Sequence, residues 1–200
     1  MKINQLVILL VILLLSSCSI LGPIKQENQN VYVIDTLPSG MSKYSSHGGT
    51  ILVLQPETRP VFNTTQMAYT DKPYQISYFS ENQWAETPSM MLYPLLVQSL
   101  QNTNYFHAVV VPPFTGKYQY VLSTQILKLQ QNFMHQSSFL EMKVRVQLSN
   151  VLTGQLVATR QYSIKMPMPQ KSPYGGVIAA NRAAASIMRQ IAEFCVAHAR

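Results

Sequence analysis

Over residues 139–152 the chain alternates cleanly. Leu140, Met142, Val144, Val146 and Leu148 fall on one side, and Glu141, Lys143, Arg145, Gln147 and Ser149 on the other. A period of two marks a strand with one face on a core and one toward water. Residues 118–133 predict a long strand before it. After a hairpin turn at Thr153-Gly154, residues 156–166 predict a third, with Leu156, Ala158, Tyr162 and Ile164 on one face. Upstream, residues 31–34 read as a short first strand and residues 35–49 as a loop rich in Ser, Gly and Pro. Residues 51–54 form an apolar run of the kind buried on both faces. Residues 66–69 and 74–79 flank Asp71-Lys72-Pro73 as a hairpin, and residues 106–111 give one more strand, stopped by Pro112-Pro113.

In two places the period lengthens to that of a helix. Over residues 87–102, Leu92, Leu95, Leu96 and Leu100 recur at helical spacing, with Thr87 placed to cap and Pro88 at the first helical position. Pro94 inside this segment removes a backbone bond and predicts a kink. Over residues 176–198, Val177, Ala180, Ala184, Ile187, Ile191 and Cys195 form one apolar stripe. The segment between the third strand and this helix, residues 166–173, reads as an irregular loop. The pattern predicts one α+β domain, an antiparallel-rich mixed sheet with two amphipathic helices packed on it.

The first residues add a compartment. Met1-Lys2 precedes ten apolar residues, Leu6 to Leu15, which would rise only ~15 Å as a helix, about half of a ~30 Å bilayer core. This reads as a signal peptide over residues 1–17, not a membrane span. Leu15-Ser16-Ser17-Cys18 resembles the bacterial lipobox, in which the cysteine becomes the first mature residue and carries diacylglyceryl and N-acyl chains. Three acyl chains anchor a protein effectively permanently. In lipoproteins of this kind Asp after the cysteine favours the inner membrane; Ser19 stands here and implies the outer membrane, facing the periplasm. Residues 18–30 are then the lipidated Cys18 and a polar tether, and residues 31–200 the domain.

Composition narrows the function. The chain of 200 residues is 47% hydrophobic and only 12% charged, which excludes a disordered or coiled-coil chain. Its net charge of +7 comes from scattered Lys and Arg, not a dense block, so no nucleic-acid partner is expected. His47, His107, His135 and His198 have no ligand spacing, and Glu57, Asp71 and Glu81 are dispersed on expected loops. No metal site, no nucleophile elbow and no phosphate loop is read, and Gly48-Gly49 and Gly175-Gly176 are taken as a flexible loop and the start of a helix. The expectation is a protein that is not an enzyme and has no cofactor apart from the acyl chains on Cys18. Cys195, on the helical stripe, is expected to be a buried and inert thiol.

From about Tyr32 onward the order of features resembles the ABC-type transport auxiliary lipoproteins. The features are the lipobox Cys18, an early strand ending near Leu37-Pro38, the apolar ILVLQP strand and the aromatic hairpin MAYTDKPYQISYF. They continue with Asn82-Gln83-Trp84-Ala85-Glu86-Thr87-Pro88 before the leucine-spaced helix, the YQYVL strand, the Thr153-Gly154-Gln155 turn and an Ala-rich C-terminal helix. The resemblance implies a non-catalytic partner of an inner-membrane ABC transporter carrying MCE domains, in a system that moves lipids between two membranes. The auxiliary lipoprotein would dock the periplasmic component at the outer membrane, and a second copy of the chain is left open as a partner. The other class that fits is an assembly lipoprotein, such as a pilotin-like or lipopolysaccharide-export subunit.

With few charges available, docking is expected through adaptable apolar and aromatic side chains. Two loops qualify, residues 39–49 with Met41, Tyr44 and His47, and residues 166–174 with Met166, Met168 and Tyr174. Trp84 is either a structural anchor at a sheet–helix junction or a partner hot spot. Tyr69, Tyr74, Tyr78 and Phe79 either pair across the hairpin or line a groove.

Overall fold

The computed structural model describes residues 29–46 and 48–199. The expected signal peptide, Cys18, the tether as far as residue 28, and His47 lie outside the described residues. Nine strands join one mixed sheet: β1 (Asn30–Tyr32), β2 (Gly48–Val53), β3 (Glu57–Thr58), β4 (Gln66–Thr70), β5 (Ser77–Trp84), β6 (Phe106–Val110), β7 (Tyr120–Asn132), β8 (Phe139–Asn150) and β9 (Gln155–Pro167). Two helices, α1 (Pro88–Gln101) and α2 (Pro173–His198), complete an α+β domain.

Strand β7 is the spine. Along one edge it carries β8 in twelve antiparallel register pairs, and β9 extends the ladder antiparallel to β8. Its other edge is shared in sequence by three parallel partners: β2 near Tyr120, β3 near Gln125 and β4 near Asn132. The branch at β2 continues to β6, and the branch at β4 continues through β5 to β1. The antiparallel ladders are long because hairpins link them, whereas each parallel pairing needs a crossover between its strands.

The helices cover one face. Ile187, Ile191, Ala180, Ala183, Ala184 and Cys195 of α2 and Leu92, Leu96 and Leu100 of α1 are essentially fully buried against Leu122, Ile126, Leu140, Met142, Val146 and Leu148. The expected stripe of α2 is therefore its buried face. Small side chains let the helix approach closely. At Gly176 a β-carbon would stand 2.0 Å from the Gln131 carboxamide carbon. Helix α2 starts at Pro173, earlier than expected, because the Ser172 hydroxyl accepts from the Gly175 N–H at 3.0 Å and sets the first turn there. Gly175 and Gly176 thus lie inside the helix, and Gly48 and Gly49 open β2 instead of a flexible loop.

Other local expectations change. The Thr87 side chain makes no capping bond, and α1 continues through Pro94 as one helix. Leu156 does not join the core: a bulge between Leu148 and Ser149 sets Leu156 opposite Ser149, on the other face from Ala158, and leaves it exposed. Glu141, expected toward water, is buried. Tyr74 sits in the β4–β5 turn with φ of 65°, not in the strand.

Candidate functional site: two ends of one long sheet

The thirteen residues of β7 span ~40 Å, so the domain has two well-separated ends. The chain enters at the Asn132 end. Gln29 Nε2 donates to Ser80 O at 3.2 Å, and Asn30 pairs with Asn82 of β5, whose partner β4 meets β7 at Gln131 and Asn132. The β4–β5 and β7–β8 turns and the N-terminus of α2 share this end; Gln131 Nε2 donates to Pro173 O at 3.2 Å. The opposite end carries the β8–β9 turn, which abuts the 111–119 loop through the Val151 N–H to Gln119 O bond at 2.8 Å.

A clamp fixes the segment after β1. Asn181 on α2 accepts from the Asp35 and Thr36 N–H groups at 3.0 and 3.1 Å and from the Thr36 hydroxyl at 2.9 Å, and donates to Val33 O at 3.0 Å. The residues after β1 are thereby held to the long helix. Sequence reasoning missed this; the signal was a lone Asn in an Ala-rich helix, where a polar side chain that gains nothing from the helix has a partner elsewhere.

The face of the sheet away from the helices is open at the entry end. A groove of ≈ 880 Å³ there is lined by Arg59, Lys72, Lys128, Lys143 and Arg145, by Gln130, Asn132 and Glu141, and by Tyr74, Ile76 and Met134. Glu141 is held by Lys128 Nζ at 2.5 Å and by Asn132 Nδ2 at 3.2 Å. Burial pushes its carboxyl upward, but the hydrogen bonds from Lys128 and Asn132 and the charges of Lys128 and Lys165 outweigh that, and it rests below the ordinary range.

At the far end the β8–β9 turn presents Val151, Leu152, Leu156 and Val157, all exposed, with Leu152 at 76%. Phe114 and Tyr44 are exposed on the loops of the same end, the latter tied by its N–H to Thr103 O at 2.8 Å. Exposed apolar side chains gathered at one end of the sheet in this way suit an interaction surface.

Apart from Tyr44, the described residues expected to dock a partner fall elsewhere or pack inward. Met166 lies in β9 opposite Leu140 on the helix-covered face, and Met168 is half-buried against the core with its N–H on Ser138 O at 3.1 Å. Neither is a free loop side chain. Tyr174 is in the first turn of α2, half exposed, with its ring 5.9 Å from Tyr32 at the entry end. Trp84 closes β5 at 3% exposure and packs in the core, out of a partner's reach. Met41 also packs against the core, whereas Tyr44 of the same loop is an exposed aromatic side chain. Tyr69 stacks on Phe79 at 4.4 Å, the cross-strand pairing of the two alternatives. Cys195 is fully buried, and burial pushes its thiol well above the usual range.

The family described as ABC-type transport auxiliary lipoprotein component matches residues 32–192, from β1 into the last turns of α2. The chain belongs to this family. It is therefore a lipoprotein component associated with ABC transport. No curated protein matches it in sequence. Among solved structures, the chain is similar to a protein from Xanthomonas campestris, at 14% identity and a TM-score of 0.72, covering 84% of this chain and 96% of that one. An uncharacterized protein is similar at 16% identity and a TM-score of 0.67, with 84% and 99% covered. A hypothetical protein from Chlamydia trachomatis follows at 8% identity and a TM-score of 0.54, with 76% and 98% covered. At these identities the likeness is one of fold.

Proposed function

We propose that the protein is anchored in the outer membrane through acylated Cys18 and docks the periplasmic, MCE-domain component of an inner-membrane ABC transporter that moves lipids between the membranes. It does this as a binding protein, with no catalytic step and no cofactor besides its acyl chains. The observation that carries the reading is the polarity of the domain. The chain enters at one end of β7, and the exposed Leu152 tip lies ~40 Å away at the other. An anchor at the first end presents the second to the periplasm. The docking surface is accordingly the Val151–Val157 tip with Phe114 and Tyr44, in place of Met166, Met168, Trp84 and the entry-end Tyr174.

Leu152→Ser with Leu156→Ser tests this. Both side chains are exposed in the free domain, so folding should be unchanged, while each loses up to the ~1.5–3 kcal/mol that full burial of a leucine contributes. Capture of the transporter's MCE-domain protein from envelope extract should weaken at least ~tenfold, or ~1.4 kcal/mol. Undiminished capture by the folded double variant, or capture of a secretin or an outer-membrane barrel in place of an MCE protein, would contradict the reading.

A further inference from the structure

We propose that the groove on the open face of the sheet is a headgroup site, which takes the phosphates of anionic lipids in the leaflet that holds the protein's own anchor. The proposal rests on the anchored reading above and extends it to the domain itself. Its first support is charge. Arg59, Lys72, Lys128, Lys143 and Arg145 line the groove against the single carboxylate of Glu141. That carboxylate is occupied by Lys128 and Asn132. Among the described residues Lys128–Glu141 is the one ion pair, so Arg59, Lys72, Lys143 and Arg145 keep their charge unpaired. Exposed Asp71, next to Lys72, and Glu57, which lines a neighbouring pocket with Arg145, offset two of these four and leave a positive excess.

The second support is position. The groove opens at the Asn132 end, where the chain enters. Ten residues lie between Cys18 and Gln29, and the eleven steps between the two reach ~40 Å at most when fully extended, so the anchor keeps this end within reach of the bilayer. The third is the rim. Tyr74 stands wholly exposed on the β4–β5 turn, with Ile76 and Met134 exposed beside the same groove. Cations flanked by an aromatic ring and two aliphatic side chains match the membrane interface, where charged headgroups lie beside buried acyl carbons. A soluble anion would satisfy the cations but leave this rim in water. Attraction to an anionic leaflet falls off within a Debye length, so the effect is salt-sensitive and local to this end.

The test uses the acylated protein reconstituted into vesicles of phosphatidylcholine, with or without phosphatidylglycerol. Cys195 is buried, so Ile76→Cys takes an environment-sensitive fluorophore selectively, and Leu152→Cys supplies the control at the far end. In vesicles with phosphatidylglycerol the label at residue 76 should shift to the blue and be quenched by brominated lipid, about threefold more than in neutral vesicles or high salt. Lys143→Glu with Arg145→Glu should remove that difference, and the label at residue 152 should show none. Flotation of every variant with the vesicles reports the anchor separately, so lost flotation counts against acylation at Cys18 and not against the groove. Equal signals at residue 76 in neutral and anionic vesicles, or insensitivity to the charge reversals, would each overturn the proposal.

Discussion

Gly176 seats α2 directly against the Gln131 side chain of β7, and replacing it with alanine tests the packing of the helix layer on the sheet. On a free helix, Gly→Ala would stabilise by ~1 kcal/mol through helix propensity. Here the new β-carbon would fall 2.0 Å from the Gln131 carboxamide carbon and 2.2 Å from its nitrogen. Gln131 is 1% exposed and cannot swing into water, so it must shift within the core. Shifting it strains its bond to Pro173 O, worth ~0.5–1.5 kcal/mol, and overpacking a core adds ~1–3 kcal/mol. Set against the propensity gain, Gly176→Ala should destabilise the protein by about 1–3 kcal/mol, read as a lower urea midpoint with an unchanged slope. The companion is Gln131→Ala, which clears the space. In that background the same Gly176→Ala should be neutral or stabilising, so the two changes couple strongly. A Gly176→Ala protein as stable as the parent, or additive effects in the double variant, would refute the close approach of α2 to β7.

The remaining predictions concern the clamp and the buried carboxylate. Asn181→Ala removes the acceptor for the Asp35 and Thr36 amides, so exchange at those two amides should speed at least ~tenfold while the core of β8 stays protected; unchanged exchange would mean the segment is held by something else. Glu141 titrates below the ordinary range in the folded state, so it contributes stability above its unfolded pKa, and that contribution is lost as pH falls through the lower folded value. Glu141→Gln should therefore narrow its stability gap to the parent below about pH 4; a gap constant from neutral to acid pH would show that the carboxylate charge contributes nothing.

How far the sequence disclosed these features follows from what one strand can report. The face of β8 that packs on the helices was readable because its period of two matches the pleat and α2 covers it along its length. Glu141 was not, because its burial depends on Lys128 and Asn132 of a neighbouring strand, which the irregularity between Ile126 and Lys128 sets on the same face. Leu156 was misread for a related reason: one extra residue in β9 turns it to the other side, and no local pattern announces a bulge. The stripe of α2 was legible, but its start was displaced by Ser172, whose cap lies in a segment that Pro167, Pro169 and Pro173 make look wholly irregular. The docking residues were sought among the methionines and aromatic residues of two loops and at Trp84. Met166 in fact continues the ladder opposite Leu140, whereas the exposed tip consists of aliphatic residues beside a turn, where composition alone cannot separate core from surface.

The central claim is that the end of the sheet remote from the anchor meets the transporter. A photo-crosslinking amino acid at Leu152, in cells expressing the acylated full chain, tests this most directly, with one at Ile76 as the near-membrane comparison. The account predicts a covalent adduct from Leu152 to an MCE-domain periplasmic protein and none to that protein from Ile76; the same adduct from Ile76 alone, or from neither position, would contradict it.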